Sequence, residues 1–184
     1  MRNTVNDLKV GNVIFSKGKK DTKRIYFSSF PKKERMAFWA MNAMSLLWNT
    51  GFLNFYDGDR LVGFIYYAHF CRQVFIMFFA VDEKERHKGY GSKILQFIEH
   101  KFPKSRIVVS IEPPDPTLPN FQVNQLRKEF YCKNGFSETG YLMKLGVEKE
   151  ILCANKPFSK GAFRAFLALY SNLVLWPRIW KKDS

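Results

Sequence analysis

Arg86-His87-Lys88-Gly89-Tyr90-Gly91-Ser92 follows the almost wholly apolar run Val74–Val81 across a charged stretch, Asp82–Glu85, and opens a segment with helical spacing. Physically this is an anion site. The first N–H groups of a helix have no partners within it, and the helix dipole makes that end partly positive. Glycines at 89 and 91 let the main chain come close to a ligand, Arg86 and Lys88 add full charges, and Ser92 offers a hydroxyl. A pyrophosphate suits such a loop. A dinucleotide fingerprint wants a third glycine where Ile94 stands, and the Gly-Lys-Ser/Thr of a triphosphate loop is absent.

Upstream of that strand, Phe52–Tyr56, the Asp57-Gly58 turn signal and Leu61–Phe70 read as a hairpin, and Gln73–Val81 as a strand covered on both faces. Further upstream, Arg24–Phe30 alternates like a strand. A helix is expected from Pro31 to Asn49, with Met36, Trp39, Ala40, Ala43, Leu46 and Leu47 as its inward side and Gly51 ending it. Residues 1–23 read as a loosely held or partly stranded extension. Downstream come a helix at Lys93–Phe102, a strand at Arg106–Ile111 and a loop broken by Pro113, Pro114, Pro116 and Pro119. A helix over Val123–Asn134, strands at Gly140–Leu145 and Glu150–Ala154, and a helix over Lys160–Leu175 complete the order. One domain over 1–184 follows, an α/β (α+β) fold with a central mixed sheet and helices on both faces.

Bulk composition narrows the chemistry further. Nineteen phenylalanines and 46% hydrophobic residues exclude a disordered chain. No apolar run is long enough to cross a bilayer, and Met1–Asp7 lacks the pattern of a secretory signal. Cys71, Cys132 and Cys153 are odd in number and widely spaced, which predicts no disulfide framework, no metal site and a cytoplasmic location. Thirty Lys and Arg against 16 Asp and Glu leave a net charge of +14, which favours polyanions: phosphorylated cofactors, nucleic acid or anionic lipid. The segment 158–184 carries an amphipathic helix and tail. It reads as a cover for the sheet, with a homodimer contact or a membrane surface as alternatives.

Arg86–Gly91 also resembles the GNAT superfamily of N-acetyltransferases. It matches every fixed position of that family's (Gln/Arg)-x-x-Gly-x-(Gly/Ala) signature, which lies between the fourth strand and third helix. About forty residues on, Phe130-Tyr131-Cys132-Lys133-Asn134-Gly135-Phe136 is similar to the family's aromatic–Tyr…Gly-Phe element. The element order over about 24–154 agrees. Phe30-Pro31…Glu34-Arg35, Glu112-Pro113 and Arg127…Phe130-Tyr131 look like one bacterial branch.

The resemblance implies a mostly antiparallel sheet splayed between strands 4 and 5, acetyl-CoA as cofactor, and a small-molecule or peptide amine as acceptor. It implies that Arg86, His87, Lys88, Gly89, Tyr90, Gly91 and Ser92 hold the CoA pyrophosphate, with Phe79, Ala80 and Val81 along the pantetheine arm. Tyr131 takes the place of the general acid and Glu112 is the candidate base, each against the plainer roles of a core tyrosine and a strand-end carboxylate. Glu34, Arg35 and Asp115 fall where the acceptor site is built. The rival reading is a binding module on the same fold, an acyl-CoA sensor or a basic adaptor for nucleic acid.

Overall fold

The computed structural model describes residues 4–5, 8–47, 49–145, 147–170 and 178–182. The fold is mixed α/β and divides into two compact units. Met1–Ala68 with Ile76–Lys101 form one, and His69–Phe75 with Phe102–Ser184 form the other.

In the first unit the strands run in the order β1 (Thr4–Val5), β2 (Leu8–Asn12), β3 (Thr50–Asp57), β4 (Arg60–Phe70) and β5 (Gln73–Val81). The expected hairpin is there: Asp57 pairs with Arg60 across the turn, and Gly58 supplies its left-handed backbone at φ 63°. Successive residues of β3 face opposite sides, so Phe52 and Phe55 start two separate packings. On one side Phe52 meets Phe38 of α2 (Phe38–Met44), with ring centroids 5.7 Å apart. On the other Phe55 meets Phe97 of α3 (Tyr90–Lys101) at 5.3 Å. Gly63 of β4 lets α3 approach, since a Cβ there would strike the Ala80 carbonyl and press on the Ile94 side chain.

Three expectations fail in this unit. Arg24–Phe30 is not a strand but most of α1 (Lys19–Ser29), which also takes in the end of the expected N-terminal extension. The reason is tertiary. Thr22, Ile25 and Tyr26 form a buried helical face, and Tyr26 sits among the rings of Phe30, Phe38, Phe64 and Phe78. Nor is Pro31–Asn49 one helix: a single 3-10 turn, Lys32–Glu34, is separated from α2. The break is held by Tyr26, whose hydroxyl donates to the Met36 carbonyl and accepts the Met36 N–H. The Arg35 guanidinium also donates to the carbonyls of Phe27 and Phe30. Consequently Met41, Asn42 and Ser45 turn inward, while Trp39, Leu46 and Leu47 are exposed. Gly51, finally, ends no helix. It lies in β3, where a Cβ would collide with the Tyr67 ring.

In the second unit the order is β6 (Arg106–Ile111), β8 (Val147–Ala154), β7 (Ser137–Leu145), β9 (Arg178–Lys181), with these neighbours antiparallel. Helix α4 (Phe121–Lys133) lies against β6. The first residues of β5 belong here too, and the Arg106 N–H bonds the Arg72 carbonyl at 3.0 Å. Helix α5 (Lys160–Tyr170) buries Phe163, Phe166, Leu167 and Ala168, with the Phe163 ring 5.2 Å from Phe75. The remainder of the helix expected to Leu175 lies outside the described residues. Strand β9 is too short and too charged to announce itself in sequence.

Candidate active site

The end of β5 delivers the chain to the glycine loop through a buried acid. Phe79 and Val81 are half-buried and Ala80 is buried, and the Asp82 N–H bonds the Val62 carbonyl at 2.9 Å. The Asp82 carboxylate accepts the Lys84 N–H at 3.1 Å and pairs with the Arg24 guanidinium. Burial pushes this carboxyl up, but the Arg24 bond and the Lys84 N–H outweigh it and hold it below the usual carboxylate range. A 3-10 turn, Glu83–Glu85, then leads into an extended Arg86.

His87 and Gly89 both adopt left-handed backbone, at φ 63° and 81°. This turns the chain so that the Gly89 carbonyl accepts the first helical bond, from the Lys93 N–H at 3.2 Å. The N–H groups of Tyr90, Gly91 and Ser92 therefore precede any intrahelical acceptor. Open space surrounds the position a Gly89 Cβ would take, so its φ, not crowding, asks for glycine. Arg86, His87 and Lys88 are exposed around the helix start. Helix α3 begins at Tyr90, three residues before the sequence spacing suggested. The Tyr90 hydroxyl donates to Asp57 at 2.6 Å, and Lys88 Nζ lies 3.0 Å from the buried Glu85 carboxylate. What this arrangement can do is hold a doubly charged, extended anion.

All ten candidate cofactor residues thus share the first unit. Glu34 and Arg35 lie there as well, Arg35 with its guanidinium stacked 4.8 Å over the Phe27 ring. Tyr131, Glu112 and Asp115 belong to the second unit. Tyr131 is buried on α4 between Phe130 and Phe136, and burial pushes its phenol up to about 12, Arg127 pulling slightly the other way. It is consequently a neutral phenol, not a phenolate, at neutral pH. Glu112 follows β6 and accepts the Asn120 amide at 2.9 Å. Asp115 caps its own turn, accepting the Thr117 hydroxyl at 2.7 Å and N–H at 2.9 Å, which holds its carboxyl below the usual range.

The sequence reading passed over Asn124. It is 1% exposed, two helical turns before Tyr131 on α4, and its amide nitrogen has no hydrogen-bond partner among the described residues. The seven-residue spacing to Tyr131 was the available signal, masked by the low amphipathicity of this helix. Cys153 is buried, which pushes its thiol up to about 11 and makes it a poor nucleophile. Among the described residues no helix is long and apolar enough to cross a membrane.

Residues 48–138 match the family model described as an acetyltransferase (GNAT) domain, a span that contains both the glycine loop and Tyr131. The chain belongs to the GNAT superfamily, acetyltransferases whose cosubstrate is acetyl-CoA. No curated protein matches it in sequence. Solved structures agree in fold. A protein of Bacteroides thetaiotaomicron assigned to the GNAT family is 20% identical, with TM-score 0.67 over 92% of this chain and 97% of that one. An aminoglycoside 6'-N-acetyltransferase complexed with coenzyme A is 14% identical, with TM-score 0.63 over 82% and 99%. Arabidopsis thaliana Naa50, in complex with the bisubstrate analogue CoA-Ac-MVNAL, is 19% identical, with TM-score 0.60 over 83% and 99%.

Proposed function

We infer that this protein is an N-acetyltransferase that passes the acetyl group of acetyl-CoA directly to a primary amine within a ternary complex. The observation that carries this reading is the start of α3. Three helix-initial N–H groups lack an intrahelical acceptor, Arg86 and Lys88 are exposed just before them in the chain, and open space lies where a Gly89 Cβ would be. In this reading Arg86–Ser92 holds the pyrophosphate, and the backbone of Phe79, Ala80 and Val81 lies along the pantetheine arm.

The chemistry requires a neutral amine, a thioester carbonyl and a proton for the departing thiolate. Glu112 takes a proton from the incoming ammonium, directly or through water. The amine nitrogen then bonds the carbonyl carbon, the C–S bond breaks, and Tyr131 donates its proton to the sulfur. The excess proton on the new amide nitrogen restores Tyr131. Burial pushes the Tyr131 phenol up to about 12, so the group is protonated at neutral pH and can serve as the donor. Glu34, Arg35 and Asp115 are the groups assigned to the acceptor, with the two carboxylates drawing in its positive charge.

Isothermal titration of the protein with acetyl-CoA, against ATP as a second phosphorylated ligand, tests the reading. Saturable binding of acetyl-CoA that ATP cannot match is expected, and thiol release with a panel of primary amines then identifies the acceptor class. No binding at near-millimolar acetyl-CoA would overturn it and leave the loop without its ligand.

A further inference from the structure

The glycine loop has little regular backbone bonding of its own. His87 and Gly89 are left-handed, and the first helical bond starts only at the Gly89 carbonyl. Side chains from the β3–β4 turn supply the missing constraint. Asp57 Oδ2 accepts the Tyr90 hydroxyl at 2.6 Å and the Arg60 guanidinium at 3.2 Å. Arg60 Nε lies 3.5 Å from Glu85 Oε1, and Glu85 Oε2 accepts Lys88 Nζ at 3.0 Å. Lys88 and Tyr90 are two residues apart, so the chain of contacts Tyr90–Asp57–Arg60–Glu85–Lys88 closes into a ring through the loop backbone at Gly89. One member, Glu85, has a side chain only 8% exposed, so the ring is anchored and not merely draped on the surface.

We propose that Asp57 and Arg60 are positioning residues for the cosubstrate loop: they set the first turn of α3 and the Lys88 ammonium in place before the pyrophosphate arrives. This rests on reading Arg86–Ser92 as the CoA pyrophosphate site. In this proposal neither residue touches the ligand. Each acts through Tyr90 or through Glu85 and Lys88, so that donors which would otherwise have to be ordered on binding are already aimed. The turn is an independent element, 33 residues before Tyr90, and the Asp57-Gly58 pair is what a tight hairpin requires in any case. Here its aspartate serves a second purpose.

Tyr90→Phe removes one hydroxyl and nothing else, Asp57→Ala removes its acceptor, and Gly89→Asp serves as the control for the site itself. CoA affinity, measured by titration calorimetry, is expected to fall about five- to tenfold in each of the first two variants. In the double variant the loss is expected to be no larger than in Asp57→Ala alone, because the bond that Tyr90→Phe breaks is already gone there. Amide hydrogen exchange supplies a readout that a general loss of stability would not produce: faster exchange at Tyr90, Gly91 and Ser92 in the free variants, with β3 and β4 unchanged. Wild-type CoA affinity in folded Tyr90→Phe and Asp57→Ala, while Gly89→Asp abolishes binding, would overturn the proposal and leave the site standing. Losses that multiply in the double variant would also overturn it. Undiminished binding in folded Gly89→Asp would instead remove the site on which it rests.

Discussion

The Tyr26 hydroxyl donates to the Met36 carbonyl at 3.1 Å and accepts the Met36 N–H at 2.8 Å, so one phenol stands in for a turn of backbone. Its ring is fully buried and its proton is held tightly, burial pushing the phenol up to about 12 against the opposing pull of the Met36 backbone and Arg35. Tyr26→Phe keeps the edge-on contact with Phe78 at 5.1 Å and strips both Met36 groups of their partner. A loss of about 1–3 kcal/mol is expected in urea unfolding. A variant as stable as the parent would show that water replaces the hydroxyl at no cost.

Gly89→Asp is expected to abolish CoA binding in a protein that still folds. Aspartate tolerates left-handed backbone better than most residues, and no atom lies within 4 Å of the new Cβ. Its carboxylate, however, would face the pyrophosphate. Calorimetry with CoA, paired with a thermal melt, separates the two effects.

Asp82 gives a pH signature. Its carboxyl is held below the ordinary carboxylate range in the folded protein, so its ion pair with Arg24 contributes stability that is complete above the unfolded value, near pH 4, and is lost as pH falls through the depressed folded value. Asp82→Asn should therefore be less stable than the parent at pH 7, with the gap closing in stronger acid. Denaturant midpoints at pH 7, 5 and 3 measure it. A gap that widens toward pH 3 would contradict the assignment.

Tyr131→Phe is expected to bind CoA normally and to lower kcat with an accepting amine by about 100-fold or more. Because the parent phenol is pushed up to about 12, the parent's rate should show no alkaline decline attributable to Tyr131 below about pH 10. A full-speed Phe variant would assign the thiolate's proton to another donor.

The residues proposed to carry the anion site stand out in the sequence because the determinants are local. An apolar strand, two glycines two residues apart and a helix start lie within eighteen residues, Val74–Gly91, and helix N-termini bind anions wherever they occur. The hairpin at Asp57-Gly58 and strand β6 were readable for the same reason. Tertiary structure alone decided the region 24–49. Its alternating aromatics suit a strand and its three- and four-residue steps suit a helix with Trp39 and Leu46 inward. What settled both was the pocket that Phe64 and Phe78 build around Tyr26, residues 38 and 52 positions away in the chain. The Asp57–Tyr90 bond was equally invisible beforehand, since an aspartate in a tight turn already has a sufficient local reason to be there. Short-range chemistry thus marked the loop proposed for the cosubstrate, and long-range packing specified what holds that loop and which face of its neighbours meets water.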